Sequence, residues 1–236
     1  MTKISFLFYS ALFFFAISVQ IYTQPKVVWS FDKPDSVGSF IILPLTSDCK
    51  TDFPKLVDTE LGKSFYFDGV NDGFLIKNNP LDNASSFTIE IIIKPDSADK
   101  INNKEQRYFH LRNLENDNCR ILIELRYLNN NRWALDTFLK SENSRLTLYD
   151  STITHEIGKW YHVALVYEKG IMSHFVNGKQ ELSCNIEFDM NQINNGQISI
   201  GARMDPRSWF KGFIHSIIFS HQALLPNNFS HSKIIN

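Results

Sequence analysis

Charge imbalance is what this 236-residue sequence has least of. Twenty-four Lys and Arg against 25 Asp and Glu leave a formal net charge of −1. Nucleic-acid binding rests on clustered basic residues, so that balance argues against it. Cysteine is scarce as well, with only Cys49, Cys119 and Cys184. No two lie close in sequence and no Cys-x-x-Cys occurs, which leaves a zinc knuckle or a dithiol redox motif without support. Three cysteines allow at most one internal disulfide, and the sequence does not decide which pair forms it. No long stretch has helical periodicity, and low-complexity tracts, linkers and internal repeats are missing. These absences point away from helix–strand alternation and toward a single β domain.

The N-terminus stands apart. Lys3 precedes an apolar run from Ile4 to Val19, shorter than the roughly 20 residues of a spanning helix. Its basic start and the Ala16-Ile17-Ser18 end predict a secretory signal peptide over residues 1–20. No cysteine lies near the end of that run for lipid attachment. A secreted or periplasmic protein with no membrane span after cleavage is expected.

From Val27 onward, short apolar runs alternate with turn residues. Strand-type runs occur at Val27–Phe31, Phe40–Leu43, Ser64–Phe67, Phe74–Ile76, Phe87–Lys94 and Arg107–Leu111. They continue at Arg120–Tyr127, Arg132–Leu139, Arg145–Tyr149, Trp160–Tyr167, Met172–Val176, Glu181–Ile186, Gln197–Arg203 and Gly212–Ser220. Glu168-Lys169-Gly170 and Asn177-Gly178 mark tight turns, because Asn-Gly suits paired positive φ angles. The pattern predicts an all-β, two-sheet antiparallel sandwich in one domain over residues 25–230.

Alternation assigns faces. Ile121, Ile123, Leu125 and Tyr127 share one side of their strand, against Arg120, Glu124 and Arg126. Trp133, Leu135 and Leu139 oppose Arg132 and Asp136, and Tyr161, Val163, Leu165 and Tyr167 oppose His162. In Met172–Val176 the reading sends Phe175 to the core and His174 outward. A solvated second face is what such period-two patterning implies.

Several motifs taken in order resemble the concanavalin A-like lectin/glucanase superfamily, and specifically its laminin G-like jelly-roll domains. They are Phe67-Asp68-Gly69-Val70-Asn71-Asp72, Phe87-Thr88-Ile89-Glu90 with Lys94-Pro95-Asp96, and Trp160-Tyr161-His162-Val163-Ala164. Val176-Asn177-Gly178-Lys179, Ser199-Ile200-Gly201 and Phe210-Lys211-Gly212-Phe213-Ile214 through Ala223-Leu224 complete the series. The resemblance implies two curved sheets and a concave face that in related domains often receives glycans or protein partners. Many relatives carry an acidic calcium ligand soon after the last Gly-aromatic-Ile, where this chain has His215. Calcium prefers oxygen donors, so that departure puts the structural calcium in doubt.

Two candidate sites follow. Asp68, Asn71 and Asp72 offer oxygens for calcium, and the same segment equally reads as a tight turn. The polar strand face gathers His110, Glu124, Arg126, Asp136, His162 and His174, with Trp209 in a loop beside Arg207 and Lys211. Arg and Glu can hydrogen-bond sugar hydroxyls, and Trp can stack on a pyranose or simply cover the sandwich edge. The Glu-x-Asp-x-x-Glu strand of jelly-roll glucanases is absent, as are His-Glu-x-x-His, Gly-x-Ser-x-Gly and a phosphate loop. Glu124-Leu125-Arg126 is similar to the Glu-Leu-Arg of jelly-roll alginate lyases, but in place of their downstream Gln-x-His this chain has Gln106–His110 upstream, and Trp209-Phe210-Lys211-Gly212 only loosely echoes their Tyr-Phe-Lys-Ala-Gly segment. The expected function is a secreted, non-catalytic domain that binds carbohydrate or a glycosylated protein or surface. The alternative is a small polysaccharide-active lyase or glycoside hydrolase.

Overall fold

A computed structural model describes residues 26–46, 51–97, 103–116 and 118–230. The signal segment and Cys49 lie outside the described residues, whereas Cys119 and Cys184 are both free thiols. Among the described residues no helix is long and apolar enough to cross a membrane.

The chain forms β1 (Lys26–Ser30), β2 (Ser36–Val37), β3 (Phe40–Ile41), β4 (Leu43–Pro44), β5 (Lys55–Thr59) and β6 (Gly62–Asp68). Next come β7 (Phe74–Ile76), β8 (Phe87–Pro95), β9 (Glu105–Arg112), β10 (Arg120–Leu128), β11 (Arg132–Lys140) and β12 (Arg145–Tyr149). The remainder are β13 (His155–Glu156), β14 (Tyr161–Glu168), β15 (Ile171–Val176), β16 (Lys179–Asn185), β17 (Gln197–Ile200) and β18 (Lys211–Ser220). The first sheet runs β16-β15-β14-β8-β18-β6-β5, with β1 added on β18. The second runs β12-β11-β10-β9-β17-β7-β4, with β13 added on β11. Among the described residues these strands pair antiparallel throughout, as an all-β jelly-roll sandwich requires.

Local chemistry explains the turns. Lys169 and Gly170 have φ of 49° and 79°, and Asn177 and Gly178 have 49° and 74°. Paired positive φ is the geometry of two-residue hairpins that match strand twist. The turn signals therefore set the register of β14, β15 and β16. The expected strand through Arg203 instead stops at Ile200, because Gly201 turns left-handed at φ 86°. There its α-carbon approaches Phe67 so closely that an added methyl group would sit 2.3 Å from the ring.

One apolar core joins the sheets. Ile89, Ile91 and Ile93 of β8 and Val163 and Leu165 of β14 face Ile121, Ile123 and Leu125 of β10 and Trp133 and Leu135 of β11. Burying each such side chain contributes roughly 1.5–3 kcal/mol. The parity assignment of β15 needs correction. Met172, His174 and Val176 point into the core, and His174 Nδ1 lies 2.9 Å from Thr137 Oγ1 of β11 on the opposite sheet. Phe175 points the other way, onto Phe229. Both faces of β15 are apolar, because residues 221–230 return across the outer side of β8, β14 and β15. Alternation alone could not rank them.

His174 gives the fold a pH dependence of known sign. Burial, with repulsion from nearby His155 added, lowers its pKa from 6.5 to about 4. Between those values the unfolded chain binds a proton that the folded chain refuses, so stability is full above pH 6.5 and falls as the pH drops toward 4. The loss from this group is on the order of 3 kcal/mol. In His174→Gln, urea midpoints should depend less on pH across that window than in wild type; parallel curves would refute the assignment. Gly201→Ala combines left-handed strain with overlap on Phe67, and should lower stability by about 2 kcal/mol or more in the same assay.

Candidate functional site

The outer face of the second sheet carries the charge. Antiparallel pairing sets its side chains in rows across β9, β10, β11 and β12. Arg107, Glu124, Asp136 and Tyr149 are one row, and Glu105, Arg126 and Ala134 form the row beside it. On the other side come His110, Leu122, Phe138 and Thr147, and beyond them Arg112, Arg120, Lys140 and Arg145.

A β-bulge makes the first row possible. Ile123 pairs with Phe109 but Glu124 pairs with Arg107, leaving Tyr108 as the extra residue. A bulge shifts facing by one, so Arg107 turns outward although it lies two residues from the core residue Phe109. Sequence parity puts Arg107 inside, and it was missed for that reason. Glu105 and Tyr149 were missed because nothing local distinguishes them from an ordinary solvated face.

The central charges are tightly held. Arg107 Nε lies 2.5 Å from Glu124 Oε2, an ion pair whose angles fall short of a hydrogen bond. Arg126 Nε donates to Asp136 Oδ2 at 2.5 Å, and its Nη1 meets Glu105. Arg107 also pairs with Glu105 at 3.1 Å and donates to Ser208 Oγ from the loop after β17. The Arg126 guanidinium lies 5.4 Å from the centre of the Tyr149 ring, which is 38% exposed. Burial, with the neighbouring Asp136 charge added, pushes Glu124 up to about 7 against the pull of Arg107 and Arg126. Asp136 is raised by burial too, although Arg126 opposes the shift. Two buried carboxylates on directly opposed residues resist simultaneous ionisation, and the two guanidinium groups limit that penalty.

His110 is on the same face and fully buried. Its Nδ1 accepts from the Met204 amide at 3.0 Å, which puts the proton on Nε2, and Nε2 has no hydrogen-bond partner among the described residues. Burial and the surrounding Arg203, Arg112, Arg120 and Arg107 hold its pKa well below the usual histidine range. The imidazole is a neutral donor. Trp209 runs beside Arg107 as a backbone bridge, and its ring packs toward Gly73 at the sandwich edge.

Thus Glu124, Arg126 and Asp136 come together, with His110 on the same face. Two other residues do not join them. His174 lies in the inter-sheet core, as described above. His162 does leave the core, but on the first sheet, where it is buried beneath the C-terminal segment. Its Nε2 lies 2.9 Å from Glu90 Oε2, its ring is 5.3 Å from Phe229, and the Ser230 amide also bonds Glu90. Burial raises the Glu90 pKa, but His162 and Ser230 more than offset it, leaving the carboxyl below its ordinary value.

The loop proposed for calcium is closed on itself. Asp68 Oδ1 accepts from the amides of Val70 at 2.7 Å and Asn71 at 3.3 Å. Asp72 Oδ2 accepts from the Asp68 amide at 2.8 Å, and Asn71 donates to Asp52. Burial, with Asp68 and Asp52 close by, raises Asp72 to about 6. Among the described residues no three His, Cys, Asp or Glu side chains are grouped to hold a metal. These hydrogen bonds are those of a tight turn, the other reading of the segment.

Solved structures share this architecture. Domain 4 of an extracellular arabinanase from Geobacillus stearothermophilus, in complex with arabinotriose, superposes with a TM-score of 0.64 at 19% identity, covering 89% of this chain and 97% of that one. A heptameric SAP-like pentraxin from Limulus polyphemus matches at 0.55 and 20% identity, covering 68% and 76%. The type G botulinum neurotoxin receptor-binding domain matches at 0.61 and 14%, covering 88% of this chain and 50% of that one. Identities this low establish the fold alone. Comparison with curated protein sequences returned no match. A laminin G family model matches residues 68–228, more than half the chain, and with the sandwich described above it places this protein in the concanavalin A-like lectin/glucanases superfamily.

Proposed function

We propose that this protein is a secreted, non-catalytic domain that binds carbohydrate, free or on a glycosylated surface, at the outer face of its second sheet. The observation that carries the reading is the row of Arg107, Glu124, Asp136 and Tyr149. Its inner charges are locked by one another, whereas Glu105, Arg126 and Tyr149 keep solvent access. That edge offers charged donors, carboxylate acceptors and an aromatic face side by side, the groups that sugar hydroxyls and pyranose rings require. Further support comes from the relatives. The arabinanase domain was solved with arabinotriose, and cell entry of the type C botulinum neurotoxin depends on interaction with two ganglioside molecules. On a glycan array followed by calorimetry, the protein should bind at least one polysaccharide. Tyr149→Ala should weaken that binding roughly two- to tenfold without altering the fold. Wild type failing to bind any polysaccharide in either assay would overturn the proposal.

One observation favours a second reading, a polysaccharide lyase or hydrolase working from the same face. Glu124, at about 7, is poised for proton transfer near neutral pH beside a second carboxylate. Carbon-detected NMR should show its carboxyl titrating near 7, and Asp136→Asn should lower that midpoint by removing a neighbouring negative charge. Incubation with a broad panel of polysaccharides decides the reading: released unsaturated or reducing ends support it, and the absence of products eliminates it.

A further inference from the structure

The outermost row of the same face carries a cation on each of β9 to β12, with Gln197 of β17 opposite Arg112 at its end. Arg112, Arg120, Lys140 and Arg145 stand directly opposite one another on four consecutive strands. Strands spaced about 4.8 Å apart make this a band roughly 14 Å long. Like charges placed opposite one another across a sheet are destabilising, so the fold carries this row at a cost. The chain as a whole has a net charge of −1, which means the band is a local segregation of charge and not general basicity.

Beside the row lies a groove of about 380 Å³ lined by Arg120, Phe138, Lys140, Arg145, Leu146 and Thr147. Three of these six are cationic and none is acidic. Phe138 is half-buried, with the Arg120 guanidinium 5.6 Å from its ring centre, giving the groove an aromatic floor beneath a cationic wall. Among the described residues Lys140 donates to a neutral partner, Asn118 Oδ1 at 2.7 Å, and Arg145 is exposed. Asp205 acts on Arg120 from the loop after β17, and Glu142 lies in the β11–β12 turn. One row inward, the buried His110 Nε2 proton has no protein acceptor among the described residues.

We infer that this row is a subsite for an acidic polysaccharide, with the cations meeting carboxylate or sulfate groups repeated along the chain and Phe138 facing a sugar ring. The inference rests on the carbohydrate-binding reading above and names its ligand class. A band of cations suits a ligand with regularly repeated charge better than a single ion. An aromatic floor and the Thr147 hydroxyl suit a sugar better than a bare anion.

Calorimetry on the whole chain tests it with three probes: oligogalacturonate for carboxylates, sulfated dextran for sulfates, and neutral dextran. At least one acidic probe should bind about tenfold or more tighter than neutral dextran, and should weaken steeply between about 0.05 M and about 0.5 M salt. Which acidic probe wins identifies the charged group. Lys140→Gln/Arg145→Gln should lose roughly tenfold in that affinity and flatten the salt dependence. Its melting temperature should stay level or rise, because a like-charge contact is relieved. Unchanged affinity in the double variant, or neutral dextran binding as tightly as the acidic probes, would overturn the inference while leaving carbohydrate binding intact. Duplex DNA competing as well as the acidic oligosaccharides would also overturn it, by making the row a general polyanion patch. Absence of binding by any polysaccharide, acidic or neutral, would remove the carbohydrate reading and this inference together.

Discussion

Closing one apolar core between two sheets obliges each strand to send alternate side chains inward and outward, and the charged face exists because of that constraint. Ile121, Ile123 and Leu125 cannot fill the core without Arg120, Glu124 and Arg126 lining up on the other side. Along β9, alternation is broken by the bulge at Tyr108. It adds Arg107 to the outer face just where Glu124 and Asp136 would otherwise be two buried carboxylates with one guanidinium between them. Packing and electrostatics are therefore solved by the same irregularity. A strand that kept perfect register there would bury Arg107 among phenylalanines and leave Glu124 without its cation.

The two outer faces are treated in opposite ways. On the first sheet the C-terminal segment lies over Glu90 and His162, with Phe229, Ala223 and Leu224 packed on Phe175, Ala164 and Val166. That pair is sealed and its hydrogen bonds are internal. Among the described residues no such cover lies on the second sheet's charged rows, and the loop from Gly201 to Phe210 borders them through Ser208, Met204 and Trp209. Sealed ionic groups add to the architecture. Ionic groups left at a half-open face are free to meet something else, and fold membership does not say what.

Much of the fold was legible in the sequence because its signals are local. Asn177-Gly178 and Lys169-Gly170 specify hairpins through their own φ angles, and the runs on either side specify strands through alternation. The facing of Glu124, Arg126 and Asp136 followed from the same rule, since β10 and β11 pair without interruption. The site was legible only in part. His174 and Phe175 were exchanged because both faces of β15 are buried, one by the opposite sheet and one by a segment some 50 residues downstream in the chain. Arg107 was hidden because a bulge belongs to a pair of strands and leaves no mark on either one alone.

The sequence by itself determined the strand periodicity, the turns, the antiparallel two-sheet class and the scarcity of free cysteine chemistry, all consequences of near-neighbour sterics and hydrophobic alternation. Tertiary structure alone decided which charges meet. The row of Arg112, Arg120, Lys140 and Arg145 draws on four strands, and the His162–Glu90 pair joins positions 72 residues apart. Such juxtapositions depend on strand order and register across the whole sheet, information that no window of neighbouring residues contains.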